Sequence, residues 1–319
     1  MNAEQITTSL KLAMAAKIPA FIWGSPGIGK SAITNQLHKN IITLIASQLD
    51  AVDTRGIPSL SKGTTVWNTP SFFPTSGEGI FFLDELNTAP PSVQAALYQL
   101  ILDRRLGDYK LPDGWYVLAA GNRESDRAVT HRMSSALANR FLHLNMDSDL
   151  DTWVKWALPN NIATPIIAFL RFRPELLNTF DNKSSDKAFA TPRTWEFTSR
   201  LYDQGCIDYE TISGLLGEGA AAELIGFLRI FKALPTVDSI LANPNTTPVP
   251  VDPATMYALC SSLARRATDN TFDRIMDYAA RIPADFQVKL VTDCISFDKS
   301  LVNTRSYIAW ATKNSDILI

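Results

Sequence analysis

Three stretches hold residue types whose spacing could do chemistry. The first is "GSPGIGKS": Gly24, Ser25, Pro26, Gly27, Ile28, Gly29, Lys30 and Ser31, directly after the apolar run "PAFIW". Glycine and proline are poor strand and helix formers, so their density here calls for a compensating use. A Gly-x4-Gly-Lys-Ser spacing lets backbone N–H groups point inward at phosphate oxygens, where side chains would block them. Lys30 would then reach the β and γ phosphates and Ser31 would place its hydroxyl on Mg²⁺. The helix that starts at Ser31 adds its positive end. The bland alternative is a glycine-rich turn with a solvent-facing lysine, and the flanking strand and helix argue against it.

The second stretch is "GIFFLDELNTAPPSVQ", where an apolar run leads straight into Asp84 and Glu85. Both carboxylates then stand at the carboxyl end of a buried strand, the edge where open α/β sheets bind ligands. Asp84 suits a Mg²⁺ shell, and Glu85 suits a base that orients an attacking water. Strands also end in solvated charge, so this pair gains weight only beside the cradle. The third stretch, "WYVLAAGNRES", ends an apolar run in Gly121 and Asn122. The Asn122 amide could hold the water or the γ-phosphate; asparagine after a strand is equally ordinary turn chemistry.

These residues need a sheet to bring them together. Short apolar runs at 19–23, 41–46, 79–84, 115–120 and 141–146 are continuous rather than alternating, which predicts parallel strands covered on both faces. Helical segments such as "SAITNQLHK" and "PSVQAALYQLILDRR" separate several of them, giving the α/β doubly wound pattern. Helical spacing also marks 3–17. After about residue 147 the strand-like runs stop, and helices are predicted over 149–157, 162–171, 192–204 and 208–232. "ALPTVDSILANPNTTPVPVDP" reads as a linker over 233–253, followed by four more helical segments over 253–313.

The order of the motifs resembles an AAA+ ATPase, and more narrowly the MoxR family of the helix-2-insert clade. "DTRGIPSL", "LDELNTAPPSVQAAL" and "TPRTW" carry the narrower likeness, which covers about residues 10–205. The resemblance implies a P-loop NTPase fold: a parallel sheet flanked by helices over 1–147, an all-α lid over 148–232, and a linker with a C-terminal helical region over 233–319. In its terms Gly24–Ser31 is Walker A and Asp84 with Glu85 is Walker B. Asn122 falls on sensor 1, Arg140 in "SSALANRF" on the arginine finger, and Arg193 on sensor 2. Arg132 is a competing finger. "RLGDYKLPDG", with Gly107 and Pro112 at turn positions, resembles a short β-hairpin insert. The long loop 53–78 carries Trp67, Phe72 and Phe73; the resemblance places a pore-facing segment hereabouts, while aromatics tucked against the sheet are the plainer reading for Phe72 and Phe73.

Local chemistry agrees at Arg193, because Thr191 can cap a helix and Pro192 suits its first position. A guanidinium in that first turn can aim at phosphate. The implied activity is ATP hydrolysis with Mg²⁺, by a homo-oligomeric ring (a hexamer) that remodels a protein substrate. The resemblance further implies a von Willebrand A-type partner carrying a metal-ion-dependent adhesion site. A nucleic-acid translocase or restriction-type motor is the rival. A non-hydrolysing nucleotide switch is a third reading, but it would not need Glu85, Asn122 and Arg140.

Composition narrows these choices. The chain has 319 residues, 19% of them charged, and a net charge of −2, so no global basic field points to nucleic acid. Cys206, Cys260 and Cys294 are widely spaced and lack any CxxC, and His38, His131 and His143 are too scattered for a metal site. The richest apolar stretch, "LLGEGAAAELIGFLRIF", is broken by Glu218 and Glu223, which predicts a buried helix rather than a membrane span. With no signal-peptide pattern at its start, the chain reads as a soluble cytoplasmic protein.

Overall fold

A computed structural model describes residues 1–126, 133–232 and 234–314. They form two compact units, one of residues 1–149 with 180–185, the other of 150–179 with 186–319. Arg132 and His131 lie outside the described residues. No helix among those described is long and apolar enough to cross a membrane.

The first unit is built on five parallel strands: β1 (Ala20–Trp23), β2 (Ile41–Ile45), β3 (Glu78–Asp84), β4 (Gly114–Gly121) and β5 (Leu142–Asn145). Their order across the sheet is β2-β3-β4-β1-β5, with all pairings parallel. This is the parallel sheet flanked by helices that the apolar runs predicted, and each strand starts and stops within a residue or two of its run. The reason is burial on both faces. Ile80 and Phe82 of β3 turn to one side, with Ile6, Leu10 and Ile33 from helices Ala3–Ala15 and Lys30–Leu37. Phe81 and Leu83 turn to the other, with Val93, Leu97 and Leu100 of helix Pro91–Asp103. A strand whose alternate side chains both meet apolar partners has no polar face to show.

One segment of this unit differs from expectation. The stretch within 53–78 is not a plain loop: Ile57–Ser61 and Thr64–Asn68 pair antiparallel around Lys62 and Gly63, both at positive φ. That is a two-residue turn of the kind that matches strand twist. Every residue of this ribbon is exposed. Phe73, beyond it, is buried against Phe81 and Tyr109, while Trp67 stays 42% exposed. "RLGDYKLPDG" contains a second small hairpin, Arg105–Leu106 with Tyr109–Lys110.

The second unit is helical. The single helix expected over 208–232 is two, Tyr209–Leu216 and Glu218–Lys232, because Gly217 stands between them at φ 80°. The linker 233–253 includes a short helix, Val237–Ala242. Helix Ala284–Phe297 packs on Pro253–Arg265 through Leu259, Leu290 and Cys294, and Pro253–Arg265 packs on Thr164–Phe172 in a core that includes Phe169, Leu224 and Ala258. Within it Arg171 and Asp293 form a buried, bidentate ion pair, one arm 2.5 Å long.

Candidate functional site

Parallel register explains why the three sequence stretches meet. Trp23 pairs with Gly121 and Ile45 with Asp84, so β1, β2, β3 and β4 end at one level of the sheet. Gly24, Asp84 and Asn122 are the residues at or just past those ends. The Gly24 N–H donates to Gly121 O at 3.3 Å, tying the start of the glycine-rich turn to the end of β4.

The turn itself demands glycine. A Cβ on Gly24 would stand 2.3 Å from Ile28 Cδ1 and 3.1 Å from Met146 O. Gly27 and Gly29 take positive φ, at 76° and 103°. Gly29 is also the N-cap of helix Lys30–Leu37, and no side chain caps that helix. The positive end of that helix therefore opens onto the turn.

Lys30 Nζ donates to Gly24 O at 2.6 Å, to Ser25 O at 3.1 Å and to Asn122 Oδ1 at 3.0 Å. The Ser31 hydroxyl donates to Asp84 Oδ2 at 2.8 Å. Glu85 follows with φ 55° and ψ 33°, a left-handed conformation that costs a non-glycine residue about 1–2 kcal/mol. Such strain persists where the surroundings enforce it. Here the Glu85 N–H donates to Asp84 Oδ1 at 3.0 Å, and the Thr88 hydroxyl donates to Glu85 O at 2.8 Å. The Glu85 side chain points out to the surface, where the Ser47 hydroxyl donates to its Oε2 at 2.5 Å.

The residues present fit a nucleoside triphosphate with its cation. An ammonium already held by oxygen acceptors can exchange them for phosphate oxygens. The Ser31 hydroxyl and Asp84 carboxylate, in contact, form a pair of hard oxygen donors of the kind Mg²⁺ takes. Pro26 and Ile28 complete the turn, Ile28 with its side chain in the core.

The two arginines expected at the site stand apart from this cluster in their bonding. Arg140 follows the short helix Ser135–Ala138; its N–H reaches Leu137 O at 3.1 Å, and its side chain is exposed without a hydrogen-bond partner among the described residues. Leu137 and Phe141 beside it are buried, at 2% and 8% exposure, and hold the turn in place. Arg193 belongs to the second unit. It is exposed in the first turn of helix Pro192–Asp203, behind the Thr191 cap and Pro192.

Sequence reasoning missed three contributors. Ser47 follows β2 much as Glu85 follows β3, a parallel visible only once the strands are paired. Asn87 is buried beside β4 and donates from Nδ2 to Asn122 O at 2.7 Å. Arg123, next to Asn122, donates to Met146 O at 2.7 Å and pairs with Asp147 at 2.5 Å. The Arg123 hydrogen bond holds the Asp147 carboxyl below the usual carboxylate range.

Residues 19–141 match the model of the AAA domain, dynein-related subfamily. No curated protein matches the chain. Among solved structures, NtrX from Brucella abortus in complex with ADP aligns at 14% identity and a TM-score of 0.44, over 99% of this chain and 68% of that one. A RuvB mutant from Thermotoga maritima aligns at 15% identity and a TM-score of 0.41, over 85% and 94%.

Proposed function

From an AAA+ core with ATPase activity as the premise, we propose that this chain is a ring-forming, ATP-driven motor of MoxR type that remodels a protein partner. The partner class is one carrying a von Willebrand A-type domain with a metal-ion-dependent adhesion site, and the ring is a hexamer. Support for the hydrolytic site comes from the meeting of Lys30 with Asn122 and of Ser31 with Asp84 at one sheet edge. Support for the ring comes from Arg140, an exposed arginine between buried Leu137 and Phe141 with no side-chain partner among the described residues.

In this reading the glycine-rich backbone and Lys30 bind the β and γ phosphates, and Ser31 and Asp84 would hold Mg²⁺. Bound Mg²⁺ neutralises charge on the phosphate oxygens. Glu85 accepts the proton of the attacking water and Asn122 orients that water or the γ-phosphate. Arg140 acts on the neighbouring subunit's nucleotide, and Arg193 takes the sensor 2 role. The chain divides functionally into the core 1–147, the lid 148–232 and the extension 233–319.

The test mixes two inactive variants. Arg140→Ala keeps its cradle and Lys30→Ala keeps its arginine, so mixed rings contain interfaces with one intact copy of each. ATP turnover should reappear on mixing, since an arginine supplied in trans typically carries ~10³-fold or more in rate. Mixed rings visible on native gels without any turnover would overturn the in-trans assignment. A monomer at every nucleotide state in light scattering would overturn the ring.

A further inference from the structure

We infer that Asn87 is a positioning residue for hydrolysis, holding the sensor residue Asn122 against the turn that carries Glu85. This rests on the reading of Asn122 as the group that orients water or γ-phosphate. Asn87 lies two residues past Glu85, in the 3-10 turn Leu86–Thr88, and is 1% exposed. Its Nδ2 donates to the carbonyl of Asn122 at 2.7 Å. Its Oδ1 lies so close to Gly121 that a Cβ there would come within 2.1 Å, so the amide is wedged against the end of β4. Gly121 in turn accepts from the Gly24 N–H, and the Asn122 side chain accepts from Lys30 Nζ. One buried amide thus fixes the two residues through which β4 touches the cradle.

The chemistry of the amide argues against simple packing. Oδ1 is buried and accepts no hydrogen bond among the described residues. An unmet buried acceptor destabilises the fold, and an apolar side chain of similar volume would avoid it. What an apolar side chain cannot do is donate to Asn122 O. The donor from Nδ2 is therefore the functional half of the side chain, and the idle oxygen comes with it. Because Asn122 is aimed from its backbone, losing that anchor lets its amide drift; a displacement of about 1 Å in such a group can cost ~10²-fold in rate.

The experiment compares Asn87→Asp with Asn87→Leu in steady-state ATP hydrolysis between pH 5.5 and 8, with fluorescent-ADP affinity and thermal melting measured in parallel. Near pH 8 both variants should lose ~10²-fold in kcat while ADP affinity stays within a few-fold of wild type. On acidification the aspartate variant should recover relative to wild type, since burial raises its pKa and the protonated carboxyl regains an O–H donor. The leucine variant should not recover. Wild-type kcat in both variants overturns the inference, as does a loss of kcat and affinity together, or an identical, pH-independent loss in both. Should either variant fail to fold, Gly121→Ala presses on the same amide from the other side and should lower kcat with affinity kept. A Lys30→Ala control separates the two readings: if hydrolysis survives that change, the site assignment fails, whereas if only the Asn87 variants are normal, the positioning inference fails alone.

Discussion

Lys30 Nζ and Asn122 Oδ1 stand 3.0 Å apart, joining the glycine-rich turn to the end of β4 across 92 positions of sequence. The ammonium is thus held in the cradle by neutral oxygens, and these are weaker partners than phosphate.

Lys30→Ala should weaken ATP binding by ~10–100-fold, the scale of a lost hydrogen bond to a charged group. The side chain is only half-buried, so melting should move little. Calorimetric titration with ATP and a melting curve check both halves. Unchanged affinity would remove Lys30 from the phosphate contacts.

Glu85→Gln should bind ATP normally and hydrolyse it at least ~10²-fold more slowly, as expected when a positioned base loses its charge. Ser47 donates to this carboxylate, so Ser47→Ala should alter turnover in the native background and have no further effect in Glu85→Gln. Single-turnover kinetics on the four proteins would test this; additive effects would uncouple the two residues.

Asp293→Ala should destabilise the second unit by about 3–5 kcal/mol, because it leaves the Arg171 guanidinium buried without its counter-charge. Replacing both residues with apolar ones of similar size should restore most of that loss. Urea unfolding with a probe in the helical unit reads it, and a single-variant cost under about 1 kcal/mol would place the pair in solvent-like surroundings.

The thiols should divide by accessibility. Burial pushes Cys260 up to about 12 and Cys294 well above the ordinary thiol range, while Cys206 is partly exposed. One thiol should react quickly with an aromatic disulfide in the native state, and three after denaturation. The sign of the pH effect follows. Both raised thiols are neutral in the fold, so their stability contribution is intact below the ordinary value near ~8.5 and is lost as pH climbs toward the folded values. The urea midpoint should fall between pH 8 and 10, less steeply in Cys294→Ala.

What could be read from sequence follows from burial. The five strands were legible because each is covered on two sides, which writes an unbroken apolar run into the chain. The ribbon Ile57–Asn68 was not, since all its residues face solvent and no hydrophobic face disciplines them; only the Lys62-Gly63 turn marks it. Lys30, Ser31 and Asp84 were legible from motif spacing. Ser47 and Asn87 were not, because each owes its importance to a strand distant in sequence. The helix break at Gly217 was available as a glycine but looked tolerable inside a long apolar segment.

Gly29, as N-cap of the helix Lys30–Leu37, brings no capping side chain to the positive end that opens on the turn. A bound phosphate supplies what serine or aspartate supplies elsewhere, so the ligand completes the local structure. By mass action, nucleotide at a hundredfold over its dissociation constant adds about 2.7 kcal/mol to folding stability. Resistance of the chain to proteolysis should then grow with added nucleotide.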